Sequence, residues 1–380
     1  MNRVSDFALI DLLQVPRVRH ARATVERRRR GCAAAKTQRA RQLDDLSSRS
    51  QALLLDIENA FGEENILGLG RFSAIWAATA VLFAVSPFIA ADSLSHAAIF
   101  SMLPFAAILA LVAVGQTLVV QQRGLDLSIP GAISLGALIV TKFPNQADAL
   151  APAGILLTLF VGGFVGLVNG LTIALFGVAP FVATLGVNAL LLGFVQWYSG
   201  GSPTGAADSL NQWALSTLGG FPNTVVLTFV LIALAQAVLL WTVAGRRFEA
   251  VGANPEAANA AGIRVFRYQV SSYVVAGVCY ATAAILLAAF LKTPGVFIGD
   301  TYLLPSVAAV VLGGTALTGG VGNVAASAVA ALFLTQLGQL VLSIGAPTAV
   351  QLLIQSGAIA VGMGLREVNQ SFLPRWSRSG

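Results

Sequence analysis

From Arg71 onward the chain is a series of long apolar blocks separated by brief polar punctuation. Residues 149–207 and 301–365, 59 and 65 positions, carry no Asp, Glu, Lys or Arg, and neither do residues 209–245 or 268–291. A helix needs roughly 20 mostly apolar residues to cross a bilayer. The two longest blocks must therefore fold back through the membrane more than once. They are continuous rather than alternating, which argues helices and not barrel strands. The pattern predicts an all-α, polytopic transmembrane helix bundle of about ten spans. They fall at about 72–91, 97–121, 126–142, 150–176, 180–199, 224–244, 269–291, 302–318, 322–344 and 347–365. The third is short and contains Pro130 and Gly131, so a broken or re-entrant element is expected there.

One polar island, Gly245–Tyr268, separates the sixth and seventh spans. It contains a short helix with its own punctuation. Asn254 can cap it, Pro255 suits its first turn, Glu256 favours the positive N-terminal end, and Gly262 can stop it. Such a helix is too short to be stable alone in water, so something must hold it, and a partner protein is expected to do so.

Composition agrees with a membrane protein. The 380 residues are 56% hydrophobic and 11% charged, against about 25% charge in a soluble domain. Thirteen of the 23 Lys and Arg lie at or before Arg71. This separates a basic N-terminal extension, residues 1–70, from a transmembrane domain at 71–366 and a tail at 367–380. Basic residues mark cytoplasmic flanks. With both termini cytoplasmic, 21 of the 23 fall on the inner side, and only Lys142 and Lys292 fall outside. Loop 245–268 then faces the cytoplasm. The extension resembles a surface helix, partly disordered, lying on anionic membrane lipid. The skew of charge toward the membrane flanks argues against nucleic acid as a partner despite the basic balance.

No catalytic set or metal-binding pattern emerges. The two cysteines, Cys32 and Cys279, have no ligand spacing, and His20 and His96 are isolated. The apolar blocks lack the ionisable groups that ion-coupled carriers place in the membrane. They do hold neutral polar groups: Gln116, Thr117, Asn169, Thr184, Asn188, Gln196, Gln336, Gln339, Gln351 and Gln355. Amides at membrane depth must be paired or face water. Helix-to-helix hydrogen bonding is the first expectation for each, and a path for an uncharged, hydroxyl-rich solute the second. Asp126 opens the interrupted third span, where it or Ser128 can cap the half-helix. Small residues at Gly162, Gly163, Gly166 and Gly170 predict close helix packing.

Several motifs come in order. They are Gly115-Gln116-Thr117-Leu118-Val119 with Arg123-Gly124-Leu125-Asp126-Leu127-Ser128, Asn169-Gly170, Pro180-Phe181-Val182-Ala183-Thr184-Leu185-Gly186, and Gly200-Gly201-Ser202-Pro203. Then follow Gly245-Arg246-Arg247-Phe248, Gly252-Ala253-Asn254-Pro255-Glu256-Ala257-Ala258 with Gly262-Ile263, and Ala308–Thr315 with Gly319-Gly320. Together they resemble ribose-type permeases of monosaccharide ATP-binding-cassette (ABC) importers over residues 72–366. The resemblance implies an ABC importer permease fold in a bacterial inner membrane. It also implies a second copy or homologous permease as dimer partner, a cytoplasmic ATPase that holds ATP and magnesium, and a periplasmic sugar-binding protein. No cofactor would belong to this chain, and no enzymatic step. Residues 254–262 are similar to the helix that couples such permeases to their ATPase. The implied coupling set is Arg246, Arg247, Gly252, Asn254, Pro255, Glu256, Ala257, Ala258 and Gly262. The candidate solute path is Gln116, Asp126, Asn169, Phe181, Thr184, Asn188 and Gln196. Two features depart from the family: the long N-terminal segment, and Ile129-Pro130 standing where the signature expects glycine after Ser128. A permease for branched-chain amino acids or nucleosides is the near alternative. An autonomous channel or secondary carrier is one of another class, and a scaffold acting through its basic N-terminal segment is a third.

Overall fold

A computed structural model describes residues 69–347 and a few positions between 349 and 360. Nearly all of the N-terminal extension, most of the tenth span at 347–365 and the tail at 367–380 lie outside the described residues. The helices are α1 (Leu69–Ile89), α2 (His96–Gln121), α3 (Ile129–Lys142), α4 (Ala151–Phe176), α5 (Pro180–Ser199) and α6 (Asp208–Leu215). They continue as α7 (Asn223–Trp241), α8 (Val243–Ala253), α9 (Pro255–Ala260), α10 (Val265–Leu291), α11 (Leu303–Leu312) and α12 (Val324–Ser343). A small antiparallel hairpin, β1 (Thr217–Leu218) with β2 (Phe221–Pro222), joins α6 to α7. Among the described residues, seven helical segments are long and apolar enough to cross a membrane, and α3 and the segment ending in α11 are shorter apolar helices.

The bundle is built around α2. Every residue from Ala106 to Gln121 is buried, the state expected of a helix that is apolar on all sides. Helix α10 is the second central element, buried all round from Ala283 to Ala289. Helix α4 lies against it through glycine. A side chain at Gly166 would overlap the Tyr273 carbonyl, and one at Gly277 would overlap the Gly162 carbonyl. Backbone-to-backbone approach of this kind is what small residues permit in lipid. Helix α12 joins α2 through Thr117 Oγ1, which donates to Ser327 Oγ at 2.8 Å, and α1 through Gln336 Nε2, which donates to Ser86 Oγ at 3.0 Å. The outward faces of α4, α5 and α7 expose Phe160, Leu190 and Phe229, the apolar surface that lipid requires.

Three elements differ from the sequence reading. The eighth span is not a continuous helix over 302–318. A 3-10 turn at Ile298–Tyr302 feeds the ten-residue α11, and the chain then turns through 313–323. Ten residues rise about 15 Å, half the hydrocarbon thickness. Gly314, Gly319 and Gly320 take φ of 85°, 87° and 82°, a left-handed conformation no helix can continue through. The sixth span ends at Trp241, and residues 243–253 form α8 where an open loop was expected. Thr242 makes this possible: its Oγ1 accepts from Gly245 N at 3.1 Å and caps the new helix. The third span begins at Ile129 rather than 126, and its cap comes from elsewhere, as described below.

Several turns meet in two groups. At one end Arg123 reaches the end of α8, and Gly320 N donates to Gln121 O at 2.9 Å. At the other, Lys292 pairs with Asp208 at 2.7 Å and Lys142 donates to the Tyr198 carbonyl.

Candidate transport pathway and coupling surface

The break before α3 is held by polar side chains from two neighbouring helices. Residues 122–128 leave α2 without regular structure, and α3 starts at Ile129 with Pro130 in its first turn. Asp126 is buried, and its Oδ1 accepts from Ser128 N at 2.8 Å and from Ser128 Oγ at 2.6 Å. Asn169 of α4 donates through Nδ2 to the same Ser128 Oγ at 2.8 Å. From α5, Thr184 Oγ1 accepts from Leu127 N at 2.9 Å, and Asn188 Oδ1 accepts from Gly131 N at 2.8 Å. The first N–H groups of a helix have no partner within it. Here α5 supplies one, which is why Asp126 and Ser128 need not cap α3 directly. Asp126 instead folds the approach to it.

The segment before α11 comes to the same place. Gly299 N donates to Ser134 Oγ of α3 at 3.1 Å, and a side chain at Gly299 would overlap the Pro130 carbonyl. Two interrupted elements thus meet near the start of α3. Discontinuous membrane helices leave backbone polar groups free to meet a solute.

Beside this junction lie Gln116 of α2 and Tyr273 and Tyr280 of α10. Tyr280 donates its hydroxyl to Gln116 Oε1 at 3.1 Å. Tyr273 stands close to Gly124, where a side chain would overlap its hydroxyl. Gln116 Nε2, Asn169 Oδ1 and the Tyr273 hydroxyl are buried without a protein hydrogen-bond partner. Buried polar groups are rarely left so. Among the described residues, this cluster concentrates neutral groups suited to hydroxyls.

Of the sequence-predicted path residues, Asp126 and Asn169 are joined through Ser128. Thr184 and Asn188 hold the start of α3, and Gln116 faces α10. Phe181 and Gln196 are exposed on α5 and are not part of the cluster. The sequence reading missed Tyr273, Tyr280 and Gly299. The tyrosines are seven positions apart in an apolar helix, two turns on one face, and that spacing was the available signal.

The candidate coupling surface lies at the Arg123 end. Asn254 ends α8 and begins α9, and its Oδ1 accepts from Ala257 N at 3.0 Å. Pro255 occupies the first turn. Gly262 leaves α9 at φ 80°, with Ile263 N donating to Ala258 O at 3.0 Å. Ala258 is buried, whereas Glu256, Ala257, Asn259, Ala260 and Gly262 are exposed. Arg246 and Arg247 are exposed on α8, while Phe248 and Gly252 are buried. Phe248 packs with Val114, Leu118 and Val324, which fixes α8 to α2 and α12. Partial burial holds the Glu249 carboxyl above its ordinary range.

Residues 98–361 match the family described as branched-chain amino acid transport system / permease component. The chain belongs to this family of transport permeases. The seven apolar helices among the described residues, together with the family, make it a multi-pass inner-membrane protein. It is 33% identical over 233 residues to the galactose/methyl galactoside import permease protein of Haemophilus influenzae, covering 56% of this chain and 69% of that one. It is 31% identical over 271 residues to the ribose import permease protein of Escherichia coli, covering 70% and 84%. It is 29% identical over 279 residues to an autoinducer 2 import system permease protein of Photorhabdus luminescens, again covering 70% and 84%. No solved structure matches.

Proposed function

We propose that this chain is the permease of an ABC importer for a monosaccharide, coupled through α9 to a separate ATPase. The observation that carries the coupling is α9 itself. Six residues cannot hold a helix unaided, yet this one is capped at both ends, anchored by Ala258, and presents Glu256, Ala257, Asn259 and Ala260 outward. An exposed helix so prepared fits a groove on a cytoplasmic partner. The partner ATPase would hold the ATP and magnesium, and this chain would hold no cofactor and make or break no covalent bond. A second permease copy or homologue would complete the pathway, and a periplasmic binding protein would deliver the sugar.

ATP-driven closure of the ATPase pair would displace the two α9 helices and switch the bundle between outward- and inward-facing packings. The amides and hydroxyls of Gln116, Ser128, Asn169 and the two tyrosines, gathered around Asp126, suit sugar hydroxyls. The galactose, ribose and autoinducer 2 names of its relatives favour the same class over branched-chain amino acids, nucleosides or an autonomous channel.

Glu256→Lys tests the coupling. A cation at the positive end of α9 opposes its dipole and alters the exposed face. Uptake is expected to disappear while the protein stays in the membrane and no longer co-purifies with the ATPase. Normal ATP-dependent uptake by the variant would refute the assignment.

A further inference from the structure

The coupling helix and the polar break are not independent sites. They are joined by the last residue of α2 and the two that follow it. Gln121 O accepts from Gly320 N at 2.9 Å. Gln122 Nε2 donates to Phe248 O at 2.8 Å. Arg123 donates from Nε to Gly252 O at 2.9 Å and from Nη2 to Ala253 O. Those two carbonyls lie in the last turn of α8, where no later helical N–H reaches them and the dipole is negative. A guanidinium presents two donors there in a fixed plane. Arg123 holds this position at φ 63°, a conformation few non-glycine residues adopt.

The contact leaves no slack. A side chain at Gly252 would overlap the Gln121 carbonyl, and one at Gly319 would overlap the Arg123 side chain and lie 3.1 Å from Gly252 O. The residue after Ala253 is Asn254, which opens α9. In the other direction, only Gly124 and Leu125 separate Arg123 from Asp126. Three extended residues span about 10 Å at most. At their end Asp126 fixes Ser128, and Ser128 fixes Asn169.

We propose that Arg123 is the strut that carries a displacement of α9 to the break before α3. It acts as a positioning residue on Gly252 and Ala253 rather than touching solute or ATPase. A push on α9 moves the end of α8, the end of α8 carries Arg123, and Arg123 shifts Asp126. This inference rests on the importer reading above.

The test uses the full chain assembled with its ATPase and binding protein in proteoliposomes. Sugar uptake, ATP hydrolysis and its stimulation by the loaded binding protein are read together. For Arg123→Ala, the complex is expected to assemble and retain basal hydrolysis. Stimulation should be lost, and sugar moved per ATP should fall at least tenfold. Arg123→Lys, with one donor group in place of the fork, should recover part of that ratio. A purely structural role would lower assembly and leave the ratio unchanged. Should the alanine variant fail to accumulate, Arg123→Gln and Arg123→Lys carry the same criteria. A ratio within twofold of wild type in variants that assemble would overturn the strut. A wild-type complex showing no ATP-dependent uptake would instead overturn the importer reading on which it rests.

Discussion

Asn169→Leu separates a functional break from a merely structural one. Asn169 is fully buried, and its one side-chain hydrogen bond goes to Ser128 Oγ at 2.8 Å. Leucine has the same number of side-chain heavy atoms as asparagine, branched at the same carbon, so the change deletes the donor without opening a cavity. Loss of a neutral hydrogen bond costs about 1 kcal/mol, and leaving part of the Ser128–Asp126 pair less satisfied raises this to about 2 kcal/mol. The global fold is insulated from that loss, because α4 is held against α10 by the Gly162, Gly166 and Gly277 contacts. The cost falls instead on the geometry of residues 124–128. A difference of 1.4 kcal/mol is tenfold in an equilibrium constant, so the constant that favours the native break is expected to fall about 5- to 30-fold. The assay is labelled-sugar uptake normalised to membrane abundance by quantitative blotting, with a thermal melt in detergent beside it. Uptake per molecule should fall, by up to that factor, while abundance and melting temperature stay near wild type. A parallel fall in abundance and uptake, with unchanged uptake per molecule, would refute the reasoning and assign Asn169 to packing alone.

Other substitutions probe the remaining contacts. Gly166→Leu drives a side chain into the Tyr273 carbonyl; overpacking of this kind costs about 1–3 kcal/mol or more, and membrane abundance should drop sharply, so normal abundance would contradict the close α4–α10 contact. Lys292→Gln removes an ion pair whose side chains are 52% and 66% exposed; such pairs contribute about 0–1 kcal/mol, so melting temperature and uptake should barely change. Glu249 has its carboxyl raised by burial, so between its ordinary and raised values the folded state binds more protons than the unfolded one. Stability should fall as pH rises through that window, and thermal melts of Glu249→Gln should show a flatter pH dependence there.

The helices of the bundle were legible because long apolar runs force them. α2, α4, α5, α7, α10 and α12 fall close to the expected positions. The ends of elements were less legible. Residues 302–318 are as apolar as a span, and hydropathy cannot distinguish a full helix from a 3-10 turn, a half-helix and a glycine turn. The positive φ of Gly314, Gly319 and Gly320 was the physical stop. Residues 243–253 looked like open loop because Gly245-Arg246-Arg247 is polar, yet Phe248 and Val251 bury one side of a short helix. At the candidate site, the asparagines and Asp126 stood out as rare polar groups in apolar blocks. Their partners did not, because the contacts that Asn188 makes to Gly131 and Thr184 makes to Leu127 span 57 residues of sequence and arise only from packing. Asn254, Pro255 and Gly262 were the most legible, since caps are local chemistry.

The central claim is that this chain moves a monosaccharide only when α9 is driven by an ATPase. The most direct measurement is accumulation of labelled sugar in proteoliposomes holding the permease, its ATPase and its binding protein. ATP is supplied only on the side that α9 faces. Accumulation is expected to require ATP, the binding protein and an intact Glu256. Sugar crossing at the same rate without ATP, or without the binding protein, would contradict it.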